Sequence, residues 1–104
     1  MNKLFNLLIK GESKDPINLL KNISNKNPIY LMGAIIFCLE NNFKRMLPLA
    51  VAALFCSKKY INKFTLKLVL NAFNNDEKYD IIYYIKSNIF KQNSKRIEYV
   101  LMHN

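Results

Sequence analysis

Lysines and aromatic side chains alternate between residues 58 and 67. Lys59, Lys63 and Lys67 recur every four residues, and the segment 60–73 is predicted to be a helix with apolar residues at 61, 64, 68, 69 and 72. Four-residue spacing places side chains along one side of a helix, so three ammonium groups are expected to point the same way. Such groups contact phosphates as point charges, which gives binding with little base selectivity and strong salt dependence.

Five other side chains extend this candidate nucleic-acid site. Lys58 adds a cation, and the rings of Tyr60 and Phe64 interleave with the lysines, where they can stack on unpaired bases. Lys44 and Arg45 are further candidate phosphate contacts from a separate charged segment. The expected partner is RNA before DNA, or another polyanion. The alternative is that Phe64 belongs to the core, Tyr60 is half-buried and the lysines are a solvated face.

The net charge supports a polyanionic partner but has a second explanation. Sixteen Lys and Arg stand against seven Asp and Glu, a formal charge of +9, and this field reaches over a Debye length of about 8 Å at physiological salt. Fourteen of the cations are Lys, and Asn, Lys, Ile, Phe and Tyr fill more than half the chain. All five residues have A/T-rich codons, so an A+T-rich genome is the alternative cause of the lysine excess.

A second aromatic cluster, formed by Tyr79, Tyr83 and Tyr84, predicts a protein interface. On a helix, Tyr79 and Tyr83 share a face, while Tyr84 turns away. Tyrosines bury a large area at low entropic cost and keep a hydroxyl group in water. The rival functional class is therefore a helical adaptor or structural subunit that docks on a protein partner.

Nothing in the sequence predicts catalysis, a metal site or a cofactor. General acid–base or nucleophilic chemistry needs groups held within hydrogen-bond reach in a pocket. The single histidine, His103, is the second-last residue, and Cys38 and Cys56 lie near the ends of apolar runs without metal-ligand spacing. Both cysteines are expected to be buried free thiols, and the acidic residues are explained by helix capping. The protein is predicted not to be an enzyme.

Two apolar runs, 29–39 and 46–56, flank the charged connector 40–45. Each run is too short to cross a bilayer, which takes roughly 20 apolar residues, but has the length of a buried helix. They predict an antiparallel helical hairpin inside a globular core. Insertion of this hairpin into a membrane is disfavoured, because it would bury Glu40, Lys44 and Arg45 at its tip.

Helix starts are marked by capping residues, two of them followed by proline. Asp15 and Asn27 precede Pro16 and Pro28, a combination that places a side-chain acceptor and a proline in the first turn. Pro48 is likewise expected in the first turn of a helix that starts near residue 44 or 45, because its missing N–H is tolerated only there.

Two later helices are predicted from capping residues without proline. Asn74 and Glu77 have the spacing of a capping box and begin a helix over about 75–90. Ser94 is expected to cap a last short helix. The isoleucines expected to face the core from the first of these helices are Ile82, Ile85 and Ile89.

The N-terminal segment is expected to pack on the core rather than lie on a membrane. Leu4, Leu7 and Leu8 share one helical face, flanked by Lys3 and Lys10. The apolar stretch is short and no small-residue cleavage site follows it, so it does not predict a secretory signal. The expected location is the cytoplasm or the nucleus.

The helix pattern predicts an all-α fold. With 104 residues and 51% hydrophobic composition, the chain fits a single helical domain, 1–104. Six to seven short antiparallel helices can form a compact bundle or a short α-solenoid-like stack.

The segments NPIYL at 27–31 and KRMLPLAVAA at 44–53 resemble the paired helices of HEAT-like modules, including the TROVE module of Ro-type RNA-binding proteins. The resemblance covers about 27–90 and lies in the rhythm of the helix pairs. It implies RNA contact through basic helix faces. The predicted function is that of a small basic helical protein that binds RNA or belongs to a ribonucleoprotein assembly; the adaptor described above is the alternative, and the sequence leaves the oligomeric state open.

Overall fold

The computed structural model describes residues 2–91, and every regular element in this range is a helix. Helix α1 (Asn2–Phe5) continues directly as a π-helical stretch (Asn6–Lys10). The helices that follow are α2 (Pro16–Lys26), α3 (Pro28–Glu40), α4 (Leu47–Phe55), α5 (Lys63–Asn71) and α6 (Asn75–Lys86). The radius of gyration, 12.3 Å, is close to the value of about 13 Å expected for a compact chain of this length. The predicted all-α bundle is confirmed; the helix predicted after Ser94 lies outside the described residues.

The proline-marked helix starts are where the sequence predicts them. Asp15 caps α2 by accepting a hydrogen bond from the backbone N–H of Asn18 at 3.1 Å. Asn27 caps α3 in the same way, with the backbone N–H of Tyr30 at 3.1 Å. Each cap satisfies one of the N–H groups that a helix start leaves without a partner. A single residue therefore separates α2 from α3, which forces a sharp corner.

The capping box at the start of α6 is also confirmed. Asn74 accepts from the backbone N–H of Glu77, and the Glu77 carboxylate accepts from the backbone N–H of Asn74, both at 2.9 Å. The predicted end near residue 90 is wrong, since α6 ends at Lys86 and Asn88 has a φ of 59°, outside the helical region. Of the isoleucines predicted to face inward, only Ile85 is fully buried. Ile82 and Ile89 are half-buried, and Ile81 takes the second core position.

Helix α4 is the centre of the bundle. Every residue of α4 except Pro48 is buried, and the helix contacts α2, α3, α5 and most extensively α6. A helix that is apolar all round is stable only when other elements surround it. The two apolar runs thus form α3 and α4, as predicted, and among residues 2–91 no helix combines the length and the apolar character that crossing a membrane requires.

The start predicted for α4 is two to three residues too early. Met46 occupies the N-cap position and Leu47 is the first helical residue, which leaves Pro48 in the first turn. Residues Lys44 and Arg45 belong to the turn that joins α3 to α4. They are therefore exposed on a loop rather than aligned on a helix.

The N-terminal helix packs on the core through the leucines that the sequence places on one face. Leu4, Leu7 and Leu8 are all buried in the main hydrophobic cluster. The π-helical stretch ends at Gly11, whose left-handed backbone (φ 73°) lets its N–H donate to the carbonyl of Leu7 at 2.9 Å. The guanidinium of Arg45 donates to the carbonyl of Lys10 at 2.7 Å and closes this end of the helix.

We expect Gly11→Ala to lower the free energy of unfolding by about 1–2 kcal/mol. The backbone at Gly11 is left-handed, and a Cβ atom there would lie 2.5 Å from Nη2 of Arg45. Chemical denaturation followed by circular dichroism measures the loss. Gly33→Ala is the matched control, since a Cβ on Gly33 meets no atom within 4 Å, and helix propensity should make that variant more stable. Equal effects of the two substitutions would contradict this account.

Both cysteines are buried and free, as predicted. Cys38 lies in α3 and Cys56 directly follows α4. Burial raises the pKa of the Cys38 thiol, so this thiol stays protonated at neutral pH and is a poor nucleophile.

Candidate nucleic-acid interface

Three hydrogen bonds fix the segment that follows α4 to the corner between α2 and α3. The hydroxyl of Ser57 donates to the carbonyl of Ser24 at 2.6 Å, and both serines are buried. The backbone N–H of Lys58 donates to the side-chain oxygen of Asn25 at 2.7 Å. The ammonium group of Lys59 donates to the carbonyl of Lys26 at 2.9 Å. Residues 57–59 are therefore held in place, although they belong to no helix.

An open groove forms where this segment meets α3 and α5, and we call it the α3/α5 groove. Its volume is about 460 Å³. Apolar side chains from the start of α3 and from the connector form much of its lining, and polar side chains stand at both helix starts. Its lining includes Lys26, Asn27, Ile29, Met32, Lys59, Tyr60, Ile61 and Asn62. Among residues 2–91, no acidic residue lines the groove, and the charged side chains of this described lining are lysines.

Two aromatic side chains project at or beside the groove. Tyr60, which lines the groove, is 83% exposed, and Phe64, in the first turn of α5, is 68% exposed. The alternative in which Phe64 is core and Tyr60 half-buried is therefore wrong. Leu66, Val69 and Leu70 fill the core positions of α5 instead.

The helix predicted over 60–73 is shorter, and its apolar face is rotated. Helix α5 spans Lys63–Asn71, because the side chain of Asn62 caps it by accepting from the backbone N–H of Phe64 at 2.7 Å. Of the five predicted apolar positions, 61 and 69 are buried, whereas 64, 68 and 72 are exposed. Lys63 and Lys67 do share a helix at four-residue spacing. Lys59 lies before the helix, so the predicted stripe of three lysines on one helix is wrong.

The cations predicted for one site are divided between two ends of the hairpin. Lys58, Lys59 and Lys63 lie near the start of α3, whereas Lys44 and Arg45 follow its end. The 13 residues of α3 span about 20 Å at 1.5 Å per residue. The hydrogen bond from Arg45 to the first helix gives this guanidinium a structural contact as well.

Lys26 is the functional candidate that the sequence analysis missed. It ends α2, immediately before the cap of α3, and it lines the groove beside Lys59. The signal was present in the predicted antiparallel hairpin, because such a hairpin brings the residues after its second helix next to those before its first. The geometry of the hairpin therefore predicts that Lys59 lies close to Lys26, whereas the residue spacing within either segment does not.

The tyrosines of α6 form a separate surface. Tyr79 and Tyr83 are 73% and 68% exposed and stand one turn apart. Tyr84 is half-buried and packs against the core, and its ring meets that of Tyr83 edge-on with centroids 5.7 Å apart. One of the two exposed rings, that of Tyr83, thus contacts a third ring that is packed against the core.

Fold and groove together define a class: a small, basic, all-helical protein with a lysine-bearing groove built from three chain segments. No family model matches the chain, and neither a curated protein nor a solved structure matches it. Within 2–91, no group of three or more His, Cys, Asp or Glu residues could hold a metal ion.

Proposed function

We propose that this protein binds single-stranded RNA at the α3/α5 groove, without catalysing a reaction, alone or within a ribonucleoprotein assembly. The observation that carries the proposal is the exposure of Tyr60 and Phe64 beside Lys59 and Lys63. An exposed ring offers a base a face for stacking, and a neighbouring ammonium group offers a charge to the phosphate. Bases in a duplex already stack on one another and cannot stack on a protein ring. A single strand can therefore contact both the ring and the ammonium group, whereas a duplex can contact only the ammonium group.

The distribution of charge supports the same ligand. Lys26 and Lys59 line a groove in which none of the described lining residues is acidic, and the whole chain carries a formal charge of +9. Lysines contact phosphates without reading bases, so affinity should fall steeply with salt. Lys67 extends the basic surface along α5. Lys44 and Arg45 lie about 20 Å away and would contact only a strand long enough to reach the other end of α3.

The resemblance of the helix pairs to HEAT-like modules, including the TROVE module, gives the same class of partner. A protein that binds RNA in this way would act in the cytoplasm or the nucleus. The residues proposed to contact RNA are Lys26, Lys58, Lys59, Tyr60, Lys63, Phe64 and Lys67.

We expect Tyr60→Ala to weaken RNA binding about fivefold or more, because stacking of one base on an aromatic side chain contributes about 1–3 kcal/mol. Tyr60 is largely exposed, so its removal should leave the fold intact. The measurement is fluorescence anisotropy of a labelled single-stranded RNA titrated with wild type and variant over a salt series.

Tyr79→Ala is the matched control, because Tyr79 is a similarly exposed tyrosine on α6. Its affinity for RNA should equal that of the wild type. Equal losses in the two variants would contradict stacking at the groove. If a poly-glutamate peptide binds as tightly as RNA, the interaction is a general attraction between opposite charges and does not depend on stacking.

A second candidate function is suggested by the exposed pair Tyr79 and Tyr83. Two rings one turn apart on α6, of which that of Tyr83 contacts the half-buried Tyr84, offer an apolar contact for a protein partner. In this alternative the protein is an adaptor or structural subunit. The two functions are compatible in one assembly, since the surfaces lie on different helices.

A further inference from the structure

Two asparagines line the α3/α5 groove, and both cap helices. Asn27 accepts from the backbone N–H of Tyr30, and Asn62 accepts from the backbone N–H of Phe64. A backbone N–H can only donate, so each cap fixes the amide with its oxygen toward the helix. The cap uses one acceptor site of each side-chain oxygen and turns that oxygen toward the helix, so the amide nitrogen offers its two N–H donors to a ligand.

The polar groups that the groove offers to a base are therefore biased toward donors. The two amide nitrogens donate only, and the ammonium groups of Lys26 and Lys59 also donate only, whereas the hydroxyl groups of Tyr60 and Thr65 can donate or accept. Bases differ in how they match such a lining. Uracil carries two exocyclic carbonyl oxygens, which accept, whereas the exocyclic group of adenine is an amine, which donates. A base with two exocyclic carbonyl oxygens accepts from these donors through both exocyclic groups, whereas adenine accepts only through ring nitrogens and its amine meets donors.

We propose that the α3/α5 groove admits an unpaired base and selects one with exocyclic carbonyl oxygens, uracil in preference to adenine. The selection uses the amide groups of Asn27 and Asn62, with apolar contact from Ile29, Met32 and Ile61. The phosphates on either side contact the flanking lysines. This inference rests on the proposed function, because it assumes that the groove binds single-stranded RNA. The lysines contact phosphates and do not distinguish one base from another, so the two amide groups would supply the base selectivity of this surface.

Asn62→Asp and Asn27→Asp test the inference with little change to the fold. Aspartate keeps a capping oxygen and is as good an N-cap residue as asparagine, but it replaces the amide donor with an acceptor. Asn74→Asp is the matched control, since Asn74 caps α6 and does not line the groove. It introduces the same charge at the same kind of position.

The experiment measures the affinities of short uridine and adenosine oligonucleotides of equal length for the wild type and the three variants. The wild type should prefer uridine, and Asn62→Asp should reduce the ratio of the two affinities by roughly threefold to tenfold, the range expected for one hydrogen bond. Asn27→Asp should act in the same direction. Asn74→Asp should leave the ratio of the two affinities unchanged, because its added negative charge weakens the binding of both oligonucleotides to the same extent.

The possible results separate this inference from the proposed function. Equal affinity of the wild type for the two oligonucleotides, or an equal ratio in Asn62→Asp and Asn74→Asp, would overturn base selection and leave RNA binding in place. No binding of either oligonucleotide at low salt would overturn both. Circular dichroism of each variant checks that the fold is intact, and should Asn62→Asp unfold, Asn27→Asp decides the matter alone.

Discussion

An Ala52→Glu variant is expected to be unfolded. Ala52 is 0% exposed and lies in α4, the central helix, which contacts α2, α3, α5 and α6. An ionised carboxylate at this position has no partner, and burying such a group costs several kcal/mol even after the protein relaxes. Domains of this kind are stable by only about 5–15 kcal/mol. Circular dichroism and size-exclusion chromatography should show lost helicity and an expanded or aggregated chain.

Ala72→Glu provides the control for this prediction. Ala72 is exposed at the end of α5, so the same chemical change should alter the free energy of unfolding by less than about 1 kcal/mol. A folded and fully helical Ala52→Glu protein would contradict the central position of α4. An unfolded Ala72→Glu protein would show that the added charge itself, rather than its burial, is what the chain does not tolerate.

The second large effect is expected from the triple variant Lys26→Gln, Lys58→Gln, Lys63→Gln. Each lysine that neutralises a phosphate of a single strand contributes about 0.7 to the slope of log affinity against log salt. Removing three should therefore reduce that slope by about two and weaken RNA binding about a hundredfold at 0.1 M salt. Lys59 is kept, because its ammonium group bonds the carbonyl of Lys26 and helps hold the groove.

The matched control removes three lysines elsewhere: Lys10→Gln, Lys14→Gln, Lys44→Gln. All three are exposed and none lines the groove, so the net charge falls equally while the groove is unchanged. This variant should retain most of its affinity for a short RNA. If both triple variants lose affinity to the same extent, the attraction depends on net charge and the groove has no special part in it.

Local signals in the sequence predicted much of the fold. Asp15, Asn27 and Asn74 cap the helices they were expected to cap, because a cap depends on residues only a few positions apart. The length and apolar character of residues 29–39 and 46–56 likewise identified the buried pair of helices. Each of these inferences needed only the chemistry of neighbouring residues.

The groove escaped prediction because it depends on distant residues. Lys59 and Lys26 are separated by 33 positions, and no local spacing reveals that they touch. The face of α5 was misjudged for a related reason. The predicted helix includes Ile61, but Asn62 caps α5, so Ile61 precedes the helix. Its burial therefore does not indicate which face of α5 is apolar.

The bonds that hold residues 57–59 to the corner between α2 and α3 also bear on the thermodynamics of recognition. A flexible loop loses conformational freedom when a ligand orders it, and that loss subtracts from affinity. Here the hydroxyl of Ser57 and the ammonium group of Lys59 already hold the loop in the free protein. The ordering occurs when the chain folds, so a ligand meets a surface whose shape exists beforehand. Such preorganisation lets a small contact area bind with little entropic penalty.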